Sequence, residues 1–233
     1  MIHKLPGWVW FGAAALSFIA GIVNAVGFLG FQHQGVTHLT GTTTLSGIAL
    51  AQHDFAGTLH LLAVAIAFVF GATVSGFVIQ GDALKLGRRY GVALVIESAL
   101  LAAAVPLLKH HNVLGDFLAS GACGLQNAMT STYSGTVLRT THVSGVFTDL
   151  GIFFGHLLRG ASVDWRRFQL WMVLLGSFLT GGVVGAVVFA RFSYSTLYFP
   201  ASLTGLVGLA YSLYRQHKLK QPAHPSASTQ PHE

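Results

Sequence analysis

Long apolar runs alternate with short polar connections along the chain. Residues 8–31, 58–80, 90–108 and 168–190 are each long and apolar enough to cross a bilayer, whose hydrocarbon core of about 30 Å takes about 20 helical residues. Residues 195–214 make a fifth run. Residues 115–138 make a sixth, whose second half turns polar at Gln126, Asn127, Thr130, Ser131, Thr132, Tyr133 and Ser134. Two stretches are shorter. Residues 41–52 give only about 18 Å of helix, too short to cross. Val143–Leu158 gives about 24 Å and carries Asp149 and His156. The pattern predicts an all-α polytopic membrane protein with six transmembrane helices plus two short re-entrant or half-crossing helices.

Composition narrows the class further. Of 233 residues, 52% are apolar and 9% charged, against a usual charged share of about 25%. Mean hydropathy is +0.61. Seven acids and 13 Lys/Arg cannot cover the surface of a soluble domain this size, which excludes a soluble enzyme, a nucleic-acid-binding domain, a disordered chain and a disulfide scaffold. The pI near 9.8 then marks cytoplasmic loops, where Lys and Arg collect, and the expected partner is the lipid bilayer. Cys123 is alone and forms no internal disulfide. The first apolar run follows Lys4 but is too long for a signal-peptide core of about 7–15 residues, so it reads as a retained helix. Residues 216–233 are polar, with Pro222, Pro225 and Pro231, and read as a disordered cytoplasmic tail.

Charge placement tests the topology. With the short stretches not crossing and the N-terminus inside, Lys4, Lys85, Arg88, Arg89, Arg139, Arg159, Arg166, Arg167, Arg215, Lys218 and Lys220 are cytoplasmic, and only Lys109 and Arg191 are outside. If both short stretches crossed, Lys85, Arg88, Arg89 and Arg139 would move outside and most of the asymmetry would vanish. The positive-inside rule favours six spans with both termini on the cytoplasmic side.

The halves resemble each other. Gly21-Ile-Val-Asn24-Ala25 recurs as Gly124-Leu-Gln-Asn127-Ala128, and Thr37-His38-Leu-Thr40-Gly41 recurs as Thr141-His142-Val-Ser144-Gly145. This divides the chain into residues 1–110, a first repeat, and residues 111–215, a second. An odd number of spans per half requires opposite orientations, so the repeats are expected to be inverted, a recurrent transporter architecture. Thr40/Gly41 and Ser144/Gly145 read as N-caps opening the two short helices, whose free N–H groups suit anions or polar solutes.

These motifs, with Arg139-Thr-Thr-His-Val-Ser-Gly-Val-Phe-Thr-Asp149-Leu-Gly and the acidic Glu97, resemble the YoaK-like bacterial membrane proteins of the domain-of-unknown-function class, up to about Tyr214. The resemblance implies an integral inner-membrane protein and leaves its mechanism open.

Several side chains are candidates for chemistry. Asp149 must face protein or water, as a coupling site or as an ion pair with Arg139. Glu97 relays protons, contacts solute, or hydrogen-bonds a neighbouring helix. Asn24 and Asn127 line a path or join helices. His38 and His142 cap helices or form a proton-sensitive gate; no metal-ligand spacing accompanies them. Gly71-x-x-x-Ser75 and Gly181-x-x-x-Gly185 permit close helix approach, within the bundle or between protomers of a homo-oligomer. No motif of a known enzyme class is present, and no cofactor is expected. The expected function is a transporter or permease for a small polar or anionic solute, with a path along Asn24, Asn127, Thr40, Gly41, Ser144, Gly145, His38 and His142 and coupling through Asp149 or Glu97. The alternatives are a passive channel and a non-transporting membrane component such as a sensor, assembly factor or intramembrane enzyme.

Overall fold

The computed structural model describes residues 7–30, 39–79, 89–134 and 140–220. They are helical, without a strand among the described residues: α1 (Gly7–Gly30), α2 (Leu39–Ala51), α3 (Phe55–Val78), α4 (Arg89–Lys109), α5 (Leu114–Ser134), α6 (Val143–Leu158), α7 (Trp165–Phe192), a 3-10 turn (Ser193–Leu197) and α8 (Tyr198–Lys220). Both expected short helices are present. α8 continues to Lys220, so residues 216–220 are helical rather than part of the tail; residues 221–233 lie outside the described residues. Four stretches are long and apolar enough to span a membrane: Val9–Gly30, Phe55–Val78, Arg89–Lys109 and Trp165–Tyr214. The last runs for 50 residues and carries both α7 and α8. The expected sixth span, α5, falls outside this set because it is polar. Its residues from Ala119 to Gln126 are buried without interruption, and a helix enclosed by protein needs no apolar surface.

The bundle is apolar outside and mixed inside. On α3 the inward face carries Thr58, Leu61, Val64, Gly71 and Ser75. The outward face carries Leu59, Ile66, Val69, Phe70 and Phe77, the last 80% exposed. Lipid tails are as apolar as leucine, so helices in a bilayer associate through close packing and hydrogen bonds. Here that packing depends on glycine. A Cβ on Gly21 or Gly181 would run into the backbone carbonyl of Phe178 or Phe18, where α1 crosses α7. A Cβ on Gly124 or Gly71 would meet the carbonyl of Phe68 or Gly121, where α3 crosses α5. The two Gly-x-x-x-small motifs therefore serve packing inside the bundle.

These contacts recur at matched positions in the two halves. Ser17 Oγ donates to the Leu174 carbonyl (2.9 Å) and Ser120 Oγ to the Val64 carbonyl (2.9 Å). Thr44 Oγ1 donates to Thr40 O (2.9 Å) and Thr148 Oγ1 to Ser144 O (3.1 Å). The buried face of α2 is Thr42, Ser46 and Ala49, and that of α6 is Val146, Leu150 and Phe153, each 104 positions later. The small α2 side chains let it lie close along α3, whereas the bulky α6 side chains hold it off α7. Asp54 caps α3 by accepting from Gly57 N (2.9 Å), and Asp164 caps α7 by accepting from Arg166 N (3.0 Å) and Arg167 N (3.1 Å). Asp164→Ala should cost about 1 kcal/mol, seen as a lower unfolding midpoint in detergent. Asp164→Asn, which keeps an accepting oxygen, should recover most of it.

The same contacts give helix directions. α1 and α7 are parallel, since Ser17 meets Leu174, Gly21 meets Phe178 and Gly30 meets Tyr194. α3 and α5 are parallel, with His60 at Asp116 and Val64 at Ser120. α4 is antiparallel to α5, with Leu108 against Gly115, and to α8, with Ser98 at Ala201 and Gly91 at Gly208. One end of the bundle thus collects the C-termini of α1, α4 and α7 and the N-termini of α3, α5 and α8. At the other end, Arg166 lies over the Trp10 ring (5.9 Å) and Arg167 over the Trp171 ring (5.7 Å), beside a cluster of Phe153, Phe154, Trp165 and Phe168.

Candidate functional site

The polar residues of the interior concentrate where α1 faces α5. Gln126 Nε2 donates to the Leu16 carbonyl (2.8 Å), and Ile19 and Val23 share a core cluster with Ala119, Ala122 and Cys123. These contacts set Ala20 and Cys123 at the middle of the bundle. Asn24 and Asn127 each lie about one turn beyond it, on opposite sides. Asn24 is buried and partnered. Asn127 Oδ1 accepts from Thr141 Oγ1 (2.7 Å), and its Nδ2 donates to the Cys123 carbonyl of its own helix (3.2 Å).

Thr140 and Thr141 precede α6 in non-helical conformation and are buried. The Thr140 carbonyl lies 3.3 Å from Ser17 Oγ, which makes its shorter bond to Leu174 O. Both partners are mid-helix residues, so irregular backbone sits deep in the bundle. Such backbone is tolerated at that depth only where protein or water satisfies it. α6 therefore starts near the middle and ends at the face from which α7 departs. Thr141→Val would leave the Asn127 oxygen without this donor. A loss of about 1 kcal/mol is expected, read as a lower unfolding midpoint, while Thr141→Ser should be close to wild type.

The expected capping residues sit elsewhere. α2 begins at Leu39 and α6 at Val143, so Thr40, Gly41, Ser144 and Gly145 are first-turn helical residues, not caps. The reason at α6 is that the His142 carbonyl already accepts from Val146 N (3.3 Å). His142 occupies the cap position without a side-chain cap bond, and its ring lies against Gly145. Thr40, Gly41, His142 and Ser144 are exposed, away from the buried polar cluster. Their neighbours Thr140 and Thr141 enter it instead. His38 and Arg139 lie outside the described residues, and so does any Asp149–Arg139 pair. Asp149 itself is half-buried on α6.

Glu97 is the buried carboxylate at the centre. It is 1% exposed, and its Oε2 has no hydrogen-bond partner among the described residues. It lies close enough to Cys123 for the two to interact electrostatically. Thr140 Oγ1 is likewise buried and without a partner among the described residues. Buried polar atoms are nearly always paired with protein or ordered water, which sets these two apart from most other described polar side chains of the interior.

A further pair lies at the end where α5 begins. His60 Nε2 is 3.3 Å from Asp116 Oδ2, and both side chains are largely buried. The His60 ring packs on Phe117 at 5.7 Å, and Tyr194 is near enough to feel the Asp116 charge. The sequence reading did not single out this pair. Its signal is the register of α3 on α5, visible only once those helices are known to be neighbours. Two donors do not make a metal centre, and no group of three His, Cys, Asp or Glu occurs among the described residues.

Comparison with known proteins places this arrangement in one family. No curated protein and no solved structure matches the chain. A protein family described as "Protein of unknown function (DUF1275)" matches residues 12–210, a range that includes every described residue of the buried polar cluster, and the chain belongs to that family.

Proposed function

We propose that the protein is a permease for a small polar solute, built from two inverted repeats in the bacterial inner membrane with both termini in the cytoplasm. The observations that carry the reading are the buried Glu97 carboxylate at mid-depth, whose Oε2 has no hydrogen-bond partner among the described residues, and the deep non-helical backbone at Thr140–Thr141. Midplane polar sites flanked by broken helices are where transporters of this architecture hold their cargo. The antiparallel directions of α4 and α8, matched at Ser98–Ala201 and Gly91–Gly208, favour inversion. Arg89, Arg159, Arg166 and Arg167 at one end, against Lys109 and Arg191 at the other, favour a cytoplasmic face at the first. The likeness to YoaK-like proteins fits the same location. A passive channel needs no buried carboxylate, and Glu97 argues against it.

Two experiments test this. Cysteine accessibility on a Cys123-free background should place residues 81–89 in the cytoplasm; labelling from outside would remove the inverted arrangement. Purified protein in liposomes holding a pH-sensitive dye should give a solute-dependent signal for some member of a panel of small polar metabolites and organic acids. A panel without any response, by dye or by radiolabelled uptake, would remove the permease.

A further inference from the structure

The internal repeat supplies its own control for deciding which buried groups the fold needs. Position by position, Asp116 corresponds to Ala13, Cys123 to Ala20, His60 to Leu170 and Glu97 to Val207. Ala13, Ala20 and Leu170 are buried and apolar, so the helix crossings form without titratable groups at those places. His60 and Asp116 are thus additions to one half of the bundle, and Glu97 is buried where its counterpart Val207 is half exposed on the outer surface. The three residues run from one end of the bundle to its middle, whereas the counterparts of the first two, Leu170 and Ala13, are apolar and buried.

We propose that His60, Asp116 and Glu97 form a one-sided proton path, with the His60–Asp116 pair as entry station and Glu97 as central station. This rests on the permease reading and deepens it by naming the coupled ion. In this path a proton would be held between His60 Nε2 and Asp116 Oδ2, which lie 3.3 Å apart. Passing that proton inward converts the Glu97 carboxylate to the acid and leaves the pair one proton short, and water at that end replaces it. Asp116 and Cys123 are seven residues apart on one face of α5, about 10 Å along the axis, with Ser120 between them. Ser120 Oγ donates to Val64 O, which leaves its lone pairs free to receive a proton-carrying water. The other groups facing the stations are few. Tyr194 approaches Asp116 from the 3-10 turn, and Cys123 approaches Glu97 from α5. His53, Asp54, Lys109, His110 and His111 at the same end are exposed. α8, which packs on α4, brings no charged group to Glu97 among the described residues.

Infrared spectroscopy of the purified protein, diluted into D2O buffer across a series of pH values, tests the path without needing a solute. The band of a protonated carboxyl shifts as its proton exchanges. Wild type should show such a band, and Glu97→Gln should lack it. His60→Gln and Asp116→Asn should keep the band but exchange about 100-fold more slowly. Asp116→Glu, which keeps the carboxylate, should exchange like wild type, and unfolding midpoints check that each variant is folded. Absence of a Glu97 band at every pH would overturn the proposal. So would equal exchange rates in wild type, His60→Gln and Asp116→Asn. Failure to find a transported solute would leave the band and its rates untouched, so the two ideas fail separately.

Discussion

Gly71→Ala is expected to destabilise the protein by about 3 kcal/mol, the upper part of the usual range for overpacking. The added methyl would meet the backbone carbonyl of Gly121. A side chain can rotate away from such a collision, but a carbonyl moves only with its helix, so α3 and α5 would have to separate along their crossing. Gly181→Ala should behave alike, because its methyl would meet the carbonyl of Phe18 on α1. The sites lie at different crossings, so the double variant should lose roughly the sum. Gly76→Ala is the control. Nothing lies within 4 Å of its added methyl, and alanine favours helix over glycine by about 1 kcal/mol, so it should be neutral or stabilising. Thermal unfolding in detergent, followed by circular dichroism, separates these cases. Equal midpoints for Gly71→Ala and Gly76→Ala would show that the crossing is not as close as described.

Glu97→Gln is expected to reduce solute-driven pH change in liposomes to the level of protein-free vesicles while leaving the protein as stable as wild type. The amide has nearly the shape of the carboxyl but cannot take up or release a proton. The carboxylate makes no described hydrogen bond through Oε2, so its replacement removes little that holds the fold. A purely structural Glu97 would give the reverse outcome, with transport kept and the unfolding midpoint lowered. Asp149→Asn should retain transport, since Asp149 sits half-buried on α6 outside the central cluster. If Asp149→Asn abolished the signal and Glu97→Gln did not, the coupling site would belong to α6.

The two short helices differ in how tightly they are held. They share a buried register but not side-chain size, with Thr42, Ser46 and Ala49 on α2 against Val146, Leu150 and Phe153 on α6. The larger set leaves α6 tied mainly through its aromatic contacts with Phe168 and Trp171. A second asymmetry matches it: α4 packs along α5 over much of its length, whereas the equivalent α8 barely meets α1.

Much of this was legible in the chain because the bilayer imposes simple rules. The length of an apolar run predicts a span, and Val143–Leu158 was located to the residue. The paired Gly-x-x-Asn-Ala and Thr-His motifs pointed to a repeat, and a lone acid in an apolar run drew attention to Glu97, which the structure buries. The sequence did not reveal who packs against whom. α1 pairs with α7 and α3 with α5, so each close pair takes one helix from each half. In hydrocarbon every apolar face is equally soluble, so neighbours are chosen by where glycines let backbones touch, and those glycines match partners about 50 to 160 positions away. The bounds of α2 differ from the expected 41–52 by one or two residues, and the capping residue of α6 was misassigned for a local reason: the His142 carbonyl, not a Ser or Thr side chain, starts that helix. His60 and Asp116 were each visible as residues, but only the parallel register of α3 on α5 makes them a pair.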